Sequence, residues 1–557
     1  MNEKILVTSA LPYVNNVPHL GNLIGCLLSA DVYSRYQRLV GKNVLFVCGT
    51  DEYGTTTEQK AKELGISPRE LCNKYHGLHK EIYDWFNISF DVFGRTSTDD
   101  PVNDQWTHTE LCHEIFNDLV DNGFIVEKKL RQLYCTKTNK YLADRFIKGN
   151  CPYCKSVEQN GDQCDDCGTL YEPFQLINPY NVAHPDAKLV VKESDELFLR
   201  LSAFKQQLID WWITKKNWSG VANSITKNWL NDQLLDRCIT RDLEWGTPVP
   251  DTKKFGDKHK NKVFYVWFDA PIGYISITAH ARRDWKEWWM NKKTKVVNFM
   301  AKDNVPFHSI MFPSTLLGTK QPYNLVDVLS SSDYLNYNGK KFSKSKHVGV
   351  FGDDAMTSGI DSDIWRFYLI KIRPENGDSS FKWDDFLDKV NGELVNNFSN
   401  LVNRILTLTY KNFGKIPEIT DQKLFESLNT KYQQILVEYD EEFTKVRLRN
   451  ALNKFLDFSS ICNEFLNEHS PWKSITENKE YAKNTLGVLC HFLVCLSVMC
   501  EQFIPNCSDK IQLMLNISHH DLHLRLNEFA DRKLQKPSII FKRLKQEDVD
   551  KLKEQFD

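Results

Sequence analysis

Two short stretches, far apart in this 557-residue chain, carry residue types able to hold a polyphosphate. The first is Pro18-His19-Leu20-Gly21-Asn22, preceded by Ala10-Leu11-Pro12-Tyr13. His19 and Asn22 are spaced to offer hydrogen-bond donors on one side, at the positive end of the helix that follows. Gly21 removes a Cβ that would keep a nucleotide off the backbone, and Pro12 and Pro18 stiffen the turn. The second stretch is Asn338-Gly339-Lys340-Lys341-Phe342-Ser343-Lys344-Ser345, followed by Gly349 and Gly352. Lysines and hydroxyls in such a loop can close over phosphates. Each stretch alone has a plainer reading: a helix cap for the first, a solvated loop for the second.

A third group is Cys151, Cys154, Cys164 and Cys167, two C-x2-C hairpins close enough for a tetrahedral four-thiolate zinc site. A site with no open position is structural, so the zinc should stabilise the segment and do no chemistry. Asp51 closes a β-branched and aliphatic run and can receive an ammonium group, or cap the next helix.

Residues 5–8, 43–48 and 92–94 are short apolar strands alternating with helical stretches, which predicts a parallel sheet flanked by helices. Ligands in such sheets bind at the carboxyl ends of the strands, where Ala10 to Asn22 and Asp51 fall. The alternation is lost between about 117 and 249 and resumes with strands at 263–268 and 296–300. The sheet is therefore split in sequence by an insert. From about 385 the pattern is helical (387–408, 424–439, 448–466, 481–503), which predicts a bundle. Asn396, Asn400 and Arg404 recur every four residues on its first helix, and Pro471-Trp472 follows a later one.

Lys plus Arg number 71 against 73 Asp plus Glu, a net charge of -2. That excludes a protein gripping nucleic acid by bulk charge; RNA contact would need local patches such as Lys445, Arg447 and Arg449, or 532–545, each of which also suits a solvated face. The 15 cysteines, an odd number scattered along the chain, suit a reducing compartment. The N-terminus runs almost directly into a strand, so no export or transit signal is expected, and a cytoplasmic protein is predicted. The most apolar run, 486–499, is too short to span a bilayer and carries Cys490, His491, Cys495 and Ser497; a buried bundle helix is expected, and no membrane partner.

Taken in order, the two stretches resemble the paired signatures of class I aminoacyl-tRNA synthetases. Cys48-Gly49-Thr50-Asp51-Glu52-Tyr53-Gly54-Thr55, Tyr265-Val266-Trp267-Phe268-Asp269-Ala270-Pro271-Ile272-Gly273-Tyr274 and Ala301-Lys302-Asp303-Asn304-Val305-Pro306-Phe307-His308 narrow the resemblance to methionyl-tRNA synthetases of the eukaryotic cytosolic type. It implies an α/β fold: a Rossmann-like parallel sheet split by a zinc-knuckle insert and followed by an α-helical anticodon-binding bundle. The implied units are 1–116 and 251–331 for the catalytic halves, 117–250 for the insert, 332–393 for the loop-bearing linker and 394–557 for the anticodon domain.

The resemblance further implies a methionine-tRNA ligase using ATP with Mg2+, one structural Zn2+, L-methionine and tRNA(Met) read at its CAU anticodon, working as a monomer. It assigns catalysis to His19, Asn22, Lys341 and Lys344, and ATP binding to these with Gly21, Lys302, Asp303 and Ser343. Methionine binding falls to Ala10, Leu11, Tyr13, Asp51, Arg241, Trp267, Ala270, Pro271, Tyr274, Asn304 and His308, with Arg241 steadying Asp51. Asn396, Asn400, Arg404 and Trp472 would read the anticodon. The chain departs from the family pattern at Asn22, which replaces a histidine, at Phe342, which replaces methionine, and at Asn304, where bacterial relatives carry an aliphatic residue. Many relatives have a second knuckle; here only Cys135 remains of it, so one metal is expected. The rival readings are another aliphatic class I synthetase and a non-catalytic tRNA-binding scaffold on the same fold.

Overall fold

The computed structural model describes residues 3–556 apart from 99–105, 143–145, 162, 163, 165, 168, 170 and 344–347. At its centre lies a five-stranded, wholly parallel sheet in the order Val328–Ser332, Thr294–Ala301, Lys4–Ser9, Asn43–Thr50, Val92–Arg95. The first three strands in sequence progress to one side, and the fourth returns to the other side of the first. The order therefore reverses at Lys4–Ser9, and a crevice opens beyond the carboxyl end of that strand. Its residues Ile5 to Ser9 are buried, as a central strand covered on both faces requires.

The strand Val328–Ser332 was not legible in the sequence. It ends in three serines, yet it is buried throughout, with Arg373 donating to the Ser330 hydroxyl at 3.0 Å. The run at 263–268 is also different from its prediction. Only Val263–Phe264 is strand, and Val266–Asp269 turns into a helix. The backbone N–H of Tyr265 pairs with the Ile239 carbonyl at 2.9 Å and ends the ladder there.

The insert is built on a long antiparallel ribbon, Ile125–Cys135 against Leu189–Leu199, paired along its whole length. Its charged residues (Lys128, Lys129, Arg131, Glu193) face solvent and hide the strand pattern. A smaller three-stranded sheet, Gln159–Asn160, Ile147–Asn150 and Ile177–Asn181, flanks the cysteines.

The helices of the last third include Asn400–Asn412, Gln422–Thr444, Leu448–His469, Lys479–Cys500 and Pro505–Leu515. Lys479–Cys500 is long and apolar enough to cross a membrane, but 94% of its apolar window is buried by the other helices. Each of its enclosed Leu, Val, Phe and Met side chains contributes about 1.5–3 kcal/mol relative to exposure. The bundle is fastened to the sheet. Asp31, on the helix Leu28–Leu39, accepts from Arg35 at 3.0 Å and from Arg366 at 2.8 Å, and takes the Ser89 N–H and hydroxyl at 2.7 and 2.6 Å. Arg366 also donates to the carbonyls of Phe86, Gln502 and Phe503 at 2.8–2.9 Å. One guanidinium thus joins the sheet's first crossover, the linker and the bundle.

Candidate active site

A cavity of about 360 Å³ occupies the crevice where the strand order reverses. Its wall comes from the segments that follow four of the five strands: Ala10 to Leu27, Asp51, Ala301 to His308, and Asp333 to Leu335, with Trp267, Ala270, Pro271 and Tyr274 closing one side.

His19 is the N-cap of the helical turn Leu20–Asn22. Its Nδ1 accepts the Asn22 N–H at 3.2 Å, while Asn22 Oδ1 accepts the His19 N–H at 3.1 Å. The cap and the anion-donor readings are therefore compatible. With Nδ1 accepting, the ring proton sits on Nε2, and Asn22 keeps its amide N–H groups for other partners. Burial pushes the His19 pKa down to about 4, so it is a neutral donor at physiological pH. A Cβ on Gly21 would stand 2.9 Å from the His19 ring, so this glycine also makes room for the imidazole.

Beside them is an aromatic slot. Trp267 stacks on Phe307 at 3.7 Å and meets Tyr13 edge-on at 6.3 Å. His308 Nδ1 lies 2.8 Å from the Asn304 carbonyl, which only accepts, so Nδ1 carries the proton. Its Nε2 then accepts from the Tyr274 hydroxyl at 2.8 Å. Burial holds His308 neutral, with its pKa pushed down to about 4.

Asp51 ends the strand Asn43–Thr50, held by its N–H to the Pro12 carbonyl at 2.9 Å. It is buried, and its Oδ1 has no hydrogen-bond partner among the described residues. Burial, with the carboxylates of Asp269 and Glu52 nearby, pushes its pKa well above the usual carboxylate range, against the pull of the Tyr53 N–H. Glu52, next to it, is neutralised by Arg95 at 2.8 Å.

Four predicted residues lie off the cavity wall. Arg241 lies on the short ladder Thr240–Arg241 with Val263–Phe264; its guanidinium is over the Tyr265 ring, 4.0 Å away, and Nη1 donates to the Thr240 carbonyl at 2.8 Å. Lys302 bridges Asp333 at 3.1 Å and Asp378 at 2.8 Å. Lys341 is exposed, and Ser343 pairs with Val348 through two backbone bonds of 3.0 and 2.9 Å. Lys344 lies outside the described residues. Among the described residues the wall carries Asp51, Asp303 and Asp333 and no lysine or arginine.

In the insert, the sulfurs of Cys151, Cys154, Cys164 and Cys167 all lie within 4.8 Å of one another, with Cys151 to Cys167 at 3.8 Å and Cys154 to Cys164 at 3.5 Å. A tetrahedral zinc with bonds of about 2.3 Å has sulfur edges of about 3.8 Å, so four thiolates here fit that ion. Cys135 is buried in the same small core as Cys151 and Cys164 but is not among the four sulfurs that cluster.

The profile of the class I tRNA synthetases (M) matches residues 5–406, and that of the anticodon-binding domain of methionyl-tRNA ligase matches 416–557. The cytoplasmic methionine-tRNA ligase of Saccharomyces cerevisiae is 42% identical over 567 residues, covering 100% of this chain and 74% of that protein. The chain belongs to the methionine-tRNA ligase family. The human cytoplasmic member is 44% identical over 576 residues; this chain spans 62% of its length. A Mycobacterium tuberculosis methionyl-tRNA synthetase structure, in complex with methionyl-adenylate, shares the fold, with a TM-score of 0.79 at 21% identity, over 97% of this chain and 99% of that one.

Away from the cavity, this family member brings its predicted helical stripe together. Asn400 donates to Asn396 at 3.5 Å, and the Arg404 guanidinium lies 5.2 Å over Trp472, which is 39% exposed. Arg404 also donates to Asn467 at 2.9 Å, a residue the sequence did not single out. Also missed were His79, on the cavity wall with Nε2 2.8 Å from the Asn16 carbonyl, and Asp269, whose charge acts on Asp51. The signal for His79 was present: it shares the buried face of Pro68–Trp85 with Leu71, Cys72 and Ile82, where a histidine is out of place.

Proposed function

We propose that the chain activates L-methionine with ATP to methionyl-adenylate and then transfers the methionyl group to the 3′ end of tRNA(Met). The observation that carries this is the unpartnered, buried Asp51 oxygen beside an aromatic slot, at the point where the strand order reverses. An α-ammonium group supplies the cation Asp51 lacks. The slot of Leu11, Tyr13, Trp267, Ala270, Pro271, Tyr274, Asn304 and His308, with Ala10 at its mouth, takes the thioether, which favours aromatic walls by about 0.3–1.5 kcal/mol for each contact. The names of the yeast and human relatives, and the methionyl-adenylate held by the mycobacterial enzyme, support the same reading.

The methionine carboxylate attacks the α-phosphorus in line. The new O–P bond forms as the bond to the bridging oxygen breaks, and that electron pair leaves with pyrophosphate. No protein nucleophile is needed; positioning and charge stabilisation suffice. His19 and Asn22 donate beside the helix start at Gly21, with Lys302 and Asp303 completing the nucleotide site. The carboxylate-lined wall calls for positive charge from elsewhere, which Lys341 and Lys344 bring as their loop, with Ser343, closes on the phosphates. Mg2+ enters with ATP as further counter-charge. In the second step a terminal ribose hydroxyl attacks the mixed anhydride, its proton passes to solvent, and AMP leaves.

Asn396, Asn400, Arg404 and Trp472 read the CAU anticodon, with the indole stacking on an unpaired base. One Zn2+ on Cys151, Cys154, Cys164 and Cys167 holds the tip of the insert together. The protein works as a monomer in the cytoplasm and needs no membrane. Pyrophosphate exchange into ATP tests the core of the reading: methionine should support it and leucine, isoleucine and valine should not. Exchange with another amino acid would shift the assignment to a sister synthetase; none with any would leave a tRNA-binding scaffold.

A further inference from the structure

The ring of Phe342, in the lysine- and serine-rich loop, lies flat on the imidazole of His19, with centroids 4.6 Å apart and planes 4° from parallel. Phe351 meets both rings edge-on, at 6.1 Å from His19 and 6.3 Å from Phe342, and Tyr337 packs against Phe342 at 5.9 Å. Backbone bonds frame the cluster: Leu20 N–H to the Val350 carbonyl at 3.3 Å, and Gly352 N–H to the Pro18 carbonyl at 2.8 Å. Gly349 has φ +103°, and a Cβ there would stand 2.3 Å from the Phe342 ring. The glycine leaves the space the ring fills. The imidazole is thus held on one edge by the Asn22 N–H and on one face by Phe342.

We propose that Phe342 is a positioning residue for adenylate formation: stacked on His19, it fixes the plane of the imidazole, and with it the direction of the Nε2–H, and couples that ring to the loop. This rests on the reading of the cavity as the site of methionine activation. A hydrogen bond at Nδ1 alone leaves the ring free to rock about that bond; a parallel aromatic face removes the freedom, and an aliphatic side chain of similar volume does not. The substitution of phenylalanine in the second signature then has a function beyond anchoring.

The test is pyrophosphate exchange by Phe342→Ala, Phe342→Leu and Phe342→Tyr. Phe342→Ala should lower kcat about tenfold, the equivalent of ~1.4 kcal/mol, with KM for methionine within about twofold. Phe342→Tyr should recover most of that loss and Phe342→Leu little of it. An undiminished kcat in Phe342→Ala, rescue by leucine equal to that by tyrosine, or a change confined to KM would each overturn the proposal. Spectra of 13C-histidine-labelled protein separate this from failure of the underlying reading. The ring-current shift of His19 should fall sharply in Phe342→Ala, leaving the smaller edge-on contribution of Phe351, whether or not the parent exchanges pyrophosphate; identical His19 shifts in parent and variant would sink the stack itself.

Discussion

Two aspartates of the catalytic half are equally inaccessible and have opposite surroundings. Asp31 is met by Arg35, Arg366 and Ser89, and although burial works against it, these partners hold its pKa down at about 2. Asp51 has an oxygen with no partner among the described residues, two carboxylates for neighbours and a pKa pushed upward. A buried charge is tolerated when it is paired and costly when it is not. The first carboxylate holds parts of the molecule together; the second is kept at a cost to stability, the setting from which its proposed role toward an ammonium group is argued.

The contrast can be broken at either end. Arg366→Met leaves Asp31 short of its best partner and takes the donor away from the Phe86, Gln502 and Phe503 carbonyls, so unfolding should become easier by about 3–5 kcal/mol, read as a lowered urea midpoint. A loss under about 1 kcal/mol, the range of an exposed pair, would mean that this one is not structural. Asp51→Asn should do the reverse. It keeps the fold but lowers kcat/KM for methionine roughly 100-fold, since a charge-assisted hydrogen bond to the ammonium is worth about 1.5–3 kcal/mol. Full exchange activity in this variant would remove Asp51 from the site.

Trp472→Ala sharpens the distinction from a third side, because its indole is half-exposed and sits in the bundle, apart from both aspartates. Charging of tRNA should fall about tenfold, from the loss of ~1–3 kcal/mol of base stacking, while pyrophosphate exchange and stability are unchanged. A fall in exchange would show that the two halves are not separable.

The smallest effect is a pH signature. Asp31 has a depressed pKa, so the stability it contributes is fully present above the unfolded carboxylate value of about 3.9 and is lost as pH falls through about 2. Asp51 has a raised pKa, so its contribution is present below about 3.9 and is lost as pH rises through its folded value. Relative to the parent, Asp51→Asn should therefore gain stability as pH rises above about 4. Parallel midpoint-versus-pH curves for parent and variant would deny Asp51 its raised pKa.

What could be read from the chain alone follows the range of the interactions. The strand at 5–8, the paired cysteines and the helices of the bundle are local patterns, and the structure has them. His19 and Asn22 were legible as a pair able to cap a helix or donate to an anion; the reciprocal bonds by which each serves the other came only with the structure. The Asp31 to Arg366 pair and the Phe342 to His19 stack join residues hundreds of positions apart, which no periodicity records. Arg241 was placed by resemblance, and its stacking on Tyr265 depends on where a two-residue ladder ends. The ribbon of the insert was missed because charge on its exposed face masks a strand. The serine-rich strand was missed because its burial comes from neighbours and not from its own hydrophobicity.

The cavity wall is assembled from residue 10 through residue 335, with the whole insert emerging in between. On the ribosome, then, the nascent chain must thread out more than half its length before a pocket exists, and the insert has to fold while its host is still unfinished. A fragment stopped ahead of Val328 would have the first signature and Asp51 but no closed wall for a ligand to enter.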